Sequence, residues 1–496
     1  MADFNRTSAA AASGVQELVA VCAPQLAALA KQVDAFRQGE PTPQAACDFE
    51  KTTAELLLEL GRALLEHEYN RIEPERLEDC PLRLRLGRQE YRRRRKSPNT
   101  IGTLFGEIQL RRYLYEATEA GERCLFPLEM QLGVEAGLAT PALAERVGLL
   151  SVEHEQEQVL SILRQEHGVS WSAASLRKVA ASLRDGLASF RHEAQTARVL
   201  ELLRKADASK GRHRPVLAAG RDGVHTPIRN EGYHEAATAT VMVMDRRGKR
   251  LGTVYLGRMP ESGQGTLSTQ LTLLLTAVLT TWHQEGRPAP RLAYVTDGGD
   301  HPKKYYHKVL RHMADPWRPN KKLAWQWVLD FWHACGYVHK MAEGLFGNKK
   351  AWPWFGKWRR WLRDRRAGAA QVLRSAMWHY NNRKLTKAGE EMFWKGYRYL
   401  RKHTKWMHYA AYKRQGLPIG SGVTEAACKT VFAERLKRSG MTWGRAGGQV
   451  IVDLRVLVLS RVWQVAHRAY LASRPQPTVK TPSVKHGRRQ PCRIAA

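Results

Sequence analysis

The chain has 496 residues, with 80 Lys and Arg against 47 Asp and Glu, which gives a formal net charge of +33. Such an excess of positive charge disfavours a compact fold unless a polyanion offsets it. The composition therefore favours DNA or RNA as the partner, with an anionic membrane surface as the alternative. The sequence has no apolar run of about 18 residues, so no membrane-spanning helix is expected.

The N-terminus and the cysteines both favour a cytoplasmic protein. The opening segment MADFNRTSAAAASG lacks the charged and apolar regions of a signal peptide, so export is not expected. The seven cysteines are scattered and show no CxxC spacing. A disulfide framework or a four-thiolate zinc site is therefore not expected, and a reducing compartment fits.

Residues 1–135 are predicted to form an N-terminal region of helices and a basic β-hairpin. Apolar periodicity predicts helices over 14–38 and 48–68. The segment TIGTLFGEIQLRRYLYEA alternates around Gly106 and predicts the hairpin. Between them lies a basic block that is either a solvated loop or an arm that contacts phosphates. Its residues are Arg92, Arg93, Arg94, Arg95 and Lys96.

Residues 136–205 have the outline of a helix-turn-helix. A helix over 153–166 ends at Gly168, and Ser172 is suited to cap the next helix. The second helix would expose Arg177 and Lys178 to DNA. Its packed side would consist of Leu176, Val179, Ala180 and Leu183. An ordinary helical hairpin is the alternative.

Residues 206–348 change to a strand-rich texture. Three successive strands separated by turn residues predict an antiparallel meander, and a helix follows over 265–284. Strands then alternate with helices. This order is that of an α/β core of the ribonuclease-H-like kind, with a mixed sheet and helices on its faces.

The remaining sequence is predicted to be mainly helical. Residues 349–415 form an all-helical insertion rich in Trp, which serves either as a Trp-packed subdomain or as a lid whose basic and aromatic faces hold DNA. Residues 416–468 complete the core, with a long helix predicted over 420–468. Residues 469–496 are Pro-rich and basic and predict a disordered tail.

Three acids stand at points where strands end or a helix begins. Asp222 and Asp297 follow apolar runs that predict the first and fourth strands, which are neighbours in the expected sheet. Glu425 follows a Gly-Ser-Gly turn and opens a helix. Carboxylates gathered in this way suit divalent metal ions for phosphodiester chemistry, although each acid taken alone is more typical of a turn or cap. Asp297 is preferred over Asp300 and His301 because it follows the strand directly, whereas Asp300 resembles a helix N-cap.

Several motifs resemble those of a known enzyme family. GSGVTEAACKTVFAERLKRSGMTWGRAGGQ resembles the C-terminal signature of the DDE transposases of bacterial insertion sequences, in the ISKra-type branch of the Mutator-like, ribonuclease-H-like superfamily. GRDGVHTPIR and YVTDGGDH resemble its first and second acid motifs. The resemblance implies that Asp222, Asp297 and Glu425 bind two Mg²⁺ ions, for which Mn²⁺ substitutes. Asp330 and His333 match an Asp-x-x-His feature and are accessory candidates, with a buried Asp at a strand end and its capping partner as the alternative.

The resemblance also implies partners. The expected activity is cleavage at the ends of an insertion sequence and strand transfer into target DNA, by a homodimer or larger assembly in the bacterial nucleoid. The helix after Glu425 would contact DNA phosphates, with a solvated surface as the alternative, while Trp443 packs. The candidate contacts there are Lys429, Arg435, Lys437 and Arg438. The alternatives are a nuclease without strand transfer and a domesticated transposase that regulates transcription. The paired cysteines common in relatives are missing, so a zinc module is not expected.

Overall fold

A computed structural model describes residues 2–119 and 124–479. The chain divides into two compact units. The first comprises Met1–Leu150, Glu155–Leu183 and Leu471–Ala496, and the second comprises Ser151–His154 and Arg184–Tyr470. Among the described residues, no helix is both long and apolar enough to cross a membrane.

The helices and strands follow in chain order. The helices are α1 (Ala2–Gln38), α2 (Pro43–Asn70), α3 (Pro127–Leu132), α4 (Pro141–Glu153), α5 (Gln156–His167), α6 (Ala173–Asp207), α7 (Gly265–Gln284), α8 (Asp300–Lys308), α9 (Phe331–Phe346), α10 (Ala351–Asp364), α11 (Gly368–Asn381), α12 (Lys387–His403), α13 (Tyr409–Arg414), α14 (Gly422–Ala427), α15 (Glu434–Leu436), α16 (Arg445–Leu459) and α17 (Trp463–Ala472). The strands are β1 (Arg83–Leu86), β2 (Gln89–Lys96), β3 (Asn99–Thr103), β4 (Gly106–Leu110), β5 (Tyr113–Ala117), β6 (Val216–Ile228), β7 (Gly232–Met244), β8 (Arg250–Arg258), β9 (Arg291–Thr296), β10 (Gln326–Leu329) and β11 (Thr478–Val479).

The first unit contains a sheet of order β11-β1-β2-β5 and a separate β3–β4 hairpin. The predicted hairpin is present, with Gly106 at a φ of 116° that favours glycine. Its last predicted residues instead form β5, which pairs with β2. The basic block Arg92–Arg95 was predicted as a solvated loop or as an arm that contacts phosphates; the loop is wrong, because the block lies within β2, and phosphate contact stays a prediction. Backbone pairing on both sides of β2 fixes the block in the sheet.

The predicted helix-turn-helix outline also lies in the first unit. Helix α5 ends at Gly168, which adopts a left-handed conformation with φ of 62°. The Ser172 hydroxyl accepts a hydrogen bond from the Ser175 backbone N–H at 3.1 Å, as a helix cap does. Arg177 and Lys178 are exposed on α6, whereas the four predicted packing residues are buried. Helix α6 continues to Asp207, far past Leu183, the last packing residue predicted for the second helix.

The second unit is built on one mixed five-stranded sheet of order β10-β9-β6-β7-β8. Strands β6, β7 and β8 form the predicted antiparallel meander. Strand β9 pairs parallel to β6, and β10 pairs parallel to β9. The carboxyl ends of β9 and β10 therefore lie at one edge of the sheet, where β6 separates from β9, and polar sites form at such edges.

Helices cover both faces of this sheet. Buried leucines of α7, including Leu267, Leu271 and Leu274, belong to the main core with the apolar residues of β6 and β9. A second core joins Val431 and Phe432 to α16 and to the ends of β6 and β7. Successive side chains of a strand point to opposite faces of the sheet, so the position of each residue along β6 determines which of the two faces it joins.

Helices α10 to α13 form the predicted helical insertion. The predicted single helix over 420–468 is wrong. A π-helical turn, Cys428–Ala433, separates α14 from α15, and a turn with Gly440 at a φ of 75° precedes α16. The predicted disordered tail is also wrong at its start, because α17 reaches Ala472 and β11 pairs with β1. Residues 480–496 of that tail lie outside the described residues.

Candidate active site

The register of the sheet brings Asp222 and Asp297 to the same level. The parallel pairing of β6 with β9 ends at Gly220 opposite Val295. Asp222 and Asp297 each lie two residues beyond this last pair. Adjacent strands lie about 4.8 Å apart, so equal offsets keep two side chains on one face and close together. The sequence predicted Asp222 at the end of its strand, and the structure corrects this. Strand β6 continues to Ile228 because it keeps pairing with β7 after it leaves β9.

The two faces of β6 at this point have different neighbours. The Arg221 guanidinium is 2% exposed and donates to Ser268 of α7 and to Gln264, each at 2.9 Å. Gly220 and Asp222 face the opposite way, because successive residues of a strand alternate. A Cβ on Gly220 would lie 2.1 Å from the Thr424 Oγ1. The face that carries Asp222 is therefore the face that α14 covers.

Helix α14 is attached to this face by side chains one turn apart. The Thr424 and Thr240 hydroxyls lie 2.9 Å apart, and Thr240 pairs with Gly220 across the sheet. The Cys428 Sγ lies 3.2 Å from the hydroxyl of Thr238, which pairs with Asp222. Glu425 lies between these two anchors in the first turn of α14 and is exposed. The helix thereby brings the third predicted acid to the level of the first.

Burial and neighbouring charge both act on the Asp222 carboxyl. Burial, together with the smaller effects of the negative charges of Asp297 and Glu425, raises the pKa of Asp222 to about 6, although hydrogen bonds from the Gly223 N–H and the Cys428 thiol oppose the shift. Burial, followed by the charge of Asp222, raises the pKa of the Cys428 thiol to about 12. The thiol is therefore protonated at neutral pH and acts as a donor. The site concentrates negative charge that a cation would neutralise.

Asp297 is held by its own turn and by the insertion. Its Oδ1 accepts a hydrogen bond from the Gly299 N–H at 2.9 Å. Its backbone oxygen accepts one from the Tyr399 hydroxyl at 2.7 Å, although Tyr399 belongs to α12, 102 residues later. Asp300, predicted as an N-cap, is instead the first residue of α8, and Gly299 takes the cap position.

Asp330 connects the sheet to the turn before Glu425. Its backbone N–H donates to the Thr296 oxygen at 2.8 Å. Its side chain is 1% exposed; one oxygen accepts from the His333 N–H as the N-cap of α9, and the other accepts from the Ser421 N–H. A buried carboxylate with both oxygens engaged in this way serves to position neighbouring backbone. Asp330 therefore fixes the Gly-Ser-Gly turn that leads into α14.

His333 lies on the insertion side of the same region. Its ring packs edge-on against Tyr337 and Tyr399, at centroid distances of 5.4 and 5.7 Å. Tyr337 and Tyr399 stack at 3.6 Å. The predicted accessory pair thus separates into two roles: Asp330 holds the turn, and His333 extends an aromatic contact to the Tyr that binds Asp297.

The predicted DNA contacts after Glu425 are only partly available at the surface. Lys429 and Lys437 are exposed, and the Arg438 guanidinium donates to the backbone oxygens of Glu434 and Glu153. Arg435 is 2% exposed; its Nε donates to the Ser151 oxygen at 3.1 Å and its guanidinium lies over Trp443, 5.1 Å from the ring centre. Arg435 is therefore a structural residue, which corrects its prediction as a DNA contact.

Of the other predicted DNA contacts, Arg92 and Arg95 are exposed on β2. Arg93 turns inward and donates to the backbone oxygens of Glu78 and Cys80. Arg94 pairs with Glu116 at 2.6 Å across the strands. Two of the four arginines in the block thus keep side chains directed to solvent without a described protein partner.

The carboxylates converge without forming a closed metal cage. Within residues 2–119 and 124–479, no three His, Cys, Asp or Glu side chains meet closely enough to hold a metal ion as a set. The donor chemistry nevertheless fits Mg²⁺, which prefers carboxylate oxygens and retains several of its water ligands. Burial is the main cause of the raised pKa of Asp222, and Asp297 and Glu425 add to it; a bound cation would offset this added negative charge.

Sequence reasoning missed three residues that shape this site: Thr424, Cys428 and Tyr399. Thr424 and Cys428 flank Glu425 at helical spacing, so the four-residue interval was an available signal for one helix face. No local pattern indicates that Tyr399 reaches Asp297. Comparison with known proteins gives no further identification, because no family model matches the chain and no curated protein matches it.

Proposed function

We propose that the protein is a DNA transposase that cleaves the ends of its element and joins them to target DNA with the help of divalent metal ions. One observation carries the proposal. Asp222 and Asp297 stand at equal offsets beyond the last parallel pair of the sheet, and α14 brings Glu425 over the same face. Three acids separated by 75 and 128 residues of sequence thereby share one electrostatic environment.

The strand order supports a ribonuclease-H-like assignment for the core. When the five strands of this unit are numbered along the chain, their order in the sheet is 5-4-1-2-3. Strands β6, β7 and β8 are antiparallel neighbours, whereas β9 and β10 run parallel to β6. This is the arrangement that the resemblance implies. The helical insertion between β10 and α14 accounts for the long interval before the third acid.

Asp222, Asp297 and Glu425 would hold the metal ions. Bound divalent cations would activate a water or a 3′-hydroxyl and stabilise charge on the leaving oxygen. The chain's own residues keep the acids in place. The Tyr399 hydroxyl fixes the backbone of Asp297, Thr424 fixes α14 against β7 through the Thr240 hydroxyl, and Asp330 fixes the turn before α14.

The charge of the chain supports a nucleic-acid substrate. The net charge is +33, and exposed cations occur at Arg92, Arg177, Lys178 and Lys429. Arg177 and Lys178 lie on the second helix of the helix-turn-helix outline, as expected for recognition of element ends. An assembly of two or more copies would bring two ends together.

Incubation with labelled DNA ends tests this proposal. Duplexes carrying the inverted repeats that bracket the gene are mixed with the protein, a supercoiled target plasmid and Mg²⁺. We expect free 3′-hydroxyl ends and joined products, both abolished by Glu425→Gln while end binding remains. Nicking without joined product would indicate that the protein is a nuclease and not a transposase. If the wild type binds the ends but neither cleaves nor joins them, the protein would be a DNA-binding regulator and not a transposase.

A further inference from the structure

Three Trp side chains of the second unit are unusually exposed. Trp332 at the start of α9 is 62% exposed, Trp352 on α10 is 61% exposed and Trp378 on α11 is 62% exposed. Other large apolar residues of the same helices, such as Trp354 and Phe355, are buried. An isolated exposed apolar residue needs no explanation, whereas a connected group of them marks a binding surface.

Trp332 and Trp352 belong to one connected surface. The Arg359 guanidinium lies 5.9 Å from the Trp332 ring centre and 5.6 Å from that of Phe355. The Phe355 and Trp352 rings contact edge-on at 5.3 Å, and His339 lies 5.4 Å from Trp352. We call Trp332, Trp352, Phe355, Arg359 and His339 the aromatic strip. Trp378 makes no described contact with it and instead packs against His379.

The strip begins beside the candidate active site. A Cβ on Gly420 would lie 3.5 Å from the Trp332 Cδ1 and 3.6 Å from the Asp330 Oδ2. Ser421, whose N–H binds Asp330, precedes the helix of Glu425. An exposed indole therefore stands against the same turn that positions the third acid.

The charge of the strip indicates what it binds. Arg359 makes no ion pair with any residue that the structure describes, and Lys357 and Arg360 on the same helix are exposed. The exposed Trp rings thus lie among cations that form no ion pair within the part of the chain that the structure describes. Indoles stack on nucleobases, and the adjacent cations neutralise phosphates. In a duplex the base faces are already covered by neighbouring bases, so the pattern favours unpaired bases over paired ones.

We propose that the aromatic strip binds a single strand of DNA beside the active site, with Trp332 and Trp352 stacked on unpaired bases and Arg359 on the backbone. This inference rests on the proposed function for its location and deepens it by naming the form of the substrate. The strip would hold the strand that leaves or enters the carboxylate site in a separated state.

Binding measurements on full-length protein test the strip without chemistry. Fluorescence anisotropy is recorded in chelator with a labelled 20-nucleotide single strand of mixed sequence and with its duplex. Trp332→Ala and Trp352→Ala are each expected to weaken single-strand binding by about 5-fold to 100-fold, which is the usual effect of removing one stacking residue. Duplex binding should stay within about twofold, since phosphate contacts dominate there.

Trp378→Ala is the matched control, because Trp378 has the same exposure but lies apart from the strip; its single-strand affinity should equal the wild type. Trp332→Phe should recover much of the affinity lost in Trp332→Ala. Equal single-strand affinity of wild type and Trp332→Ala, or equal losses for all three alanine variants, would overturn the inference. If the wild type cleaves DNA but the strip variants bind single strands as the wild type does, this inference fails and the proposed function stands. If the wild type binds single strands through the strip but shows no metal-dependent cleavage, the proposed function fails and this inference stands.

Discussion

Asp222→Asn is expected to abolish DNA cleavage and yet to make the metal-free protein more stable at neutral pH. Cleavage should fall by at least about 10³-fold, equivalent to about 4 kcal/mol in the barrier, because a proposed metal ligand is lost. Stability should rise because the wild-type carboxylate is half-buried beside Asp297 and Glu425, and the amide carries no charge. The gain should be on the order of 1–2 kcal/mol after allowance for partial solvent screening.

The pH dependence has a defined sign. The pKa of Asp222 is raised to about 6 in the folded protein, so the folded state holds a proton that the unfolded state releases at lower pH. Between about pH 4 and pH 6 the wild type should therefore lose stability as pH rises, with the full penalty present above pH 6. Asp222→Asn should show a flatter profile across this window.

Thermal or urea unfolding in chelator at several pH values measures this difference. Asp245→Asn is the control, because the Asp245 Oδ1 accepts backbone N–H groups in the turn between β7 and β8, at 2.9 and 2.8 Å. That variant should gain no stability. A loss of stability in Asp222→Asn at pH 7 would show that Asp222 is a structural carboxylate and would contradict the account.

Gly220→Ala is expected to displace α14 and thereby to disable the site from a position that carries no chemistry. The new Cβ would lie 2.1 Å from the Thr424 Oγ1 and 3.1 Å from the Thr240 Oγ1, both inside van der Waals contact. Overpacking of this kind costs about 1–3 kcal/mol. Cleavage should fall by about 10²-fold or more, as expected when a reacting group is misplaced by about 1 Å.

The double variant Gly220→Ala/Thr424→Ala tests the mechanism of this effect. Removal of the Thr424 hydroxyl eliminates the shortest contact and leaves the Thr424 Cβ at 3.2 Å, so stability and cleavage should recover in part. Gly336→Ala on α9 is the control, since no heavy atom lies within 4 Å of its Cβ position, and it should fold and cleave normally. A fully active Gly220→Ala would mean that α14 does not need this contact with β6.

Local sequence patterns predicted the parts of the site that depend on strand ends and turns. The apolar runs before Asp222 and Asp297 gave two parallel neighbours, because alternating strands and helices constrain the order of the sheet. The Gly-Ser-Gly turn marked the start of the helix with Glu425. These features are encoded within a few residues and so can be read without the tertiary structure.

The errors concern contacts between distant segments. The long pairing of β6 with β7 placed Asp222 inside a strand, and no local signal sets how far two strands remain paired. Arg435 has the sequence context of an exposed helix residue, but burial against Trp443 and Ser151 makes it structural. The bond from Tyr399 to Asp297 joins an insertion helix to the core, and only the folded chain reveals it.

Calorimetric titration with Mn²⁺ tests the central claim, that the three acids form one metal site. Wild-type protein should bind Mn²⁺ without DNA, since the negative charges of Asp297 and Glu425 already act on Asp222 and a cation would relieve them. Asp222→Asn and Asp297→Asn should each weaken binding by about tenfold or more, equivalent to about 1.4 kcal/mol, while Asp245→Asn binds as the wild type does. Equal Mn²⁺ affinity in all four proteins would contradict the assignment of Asp222, Asp297 and Glu425 as the metal-binding trio.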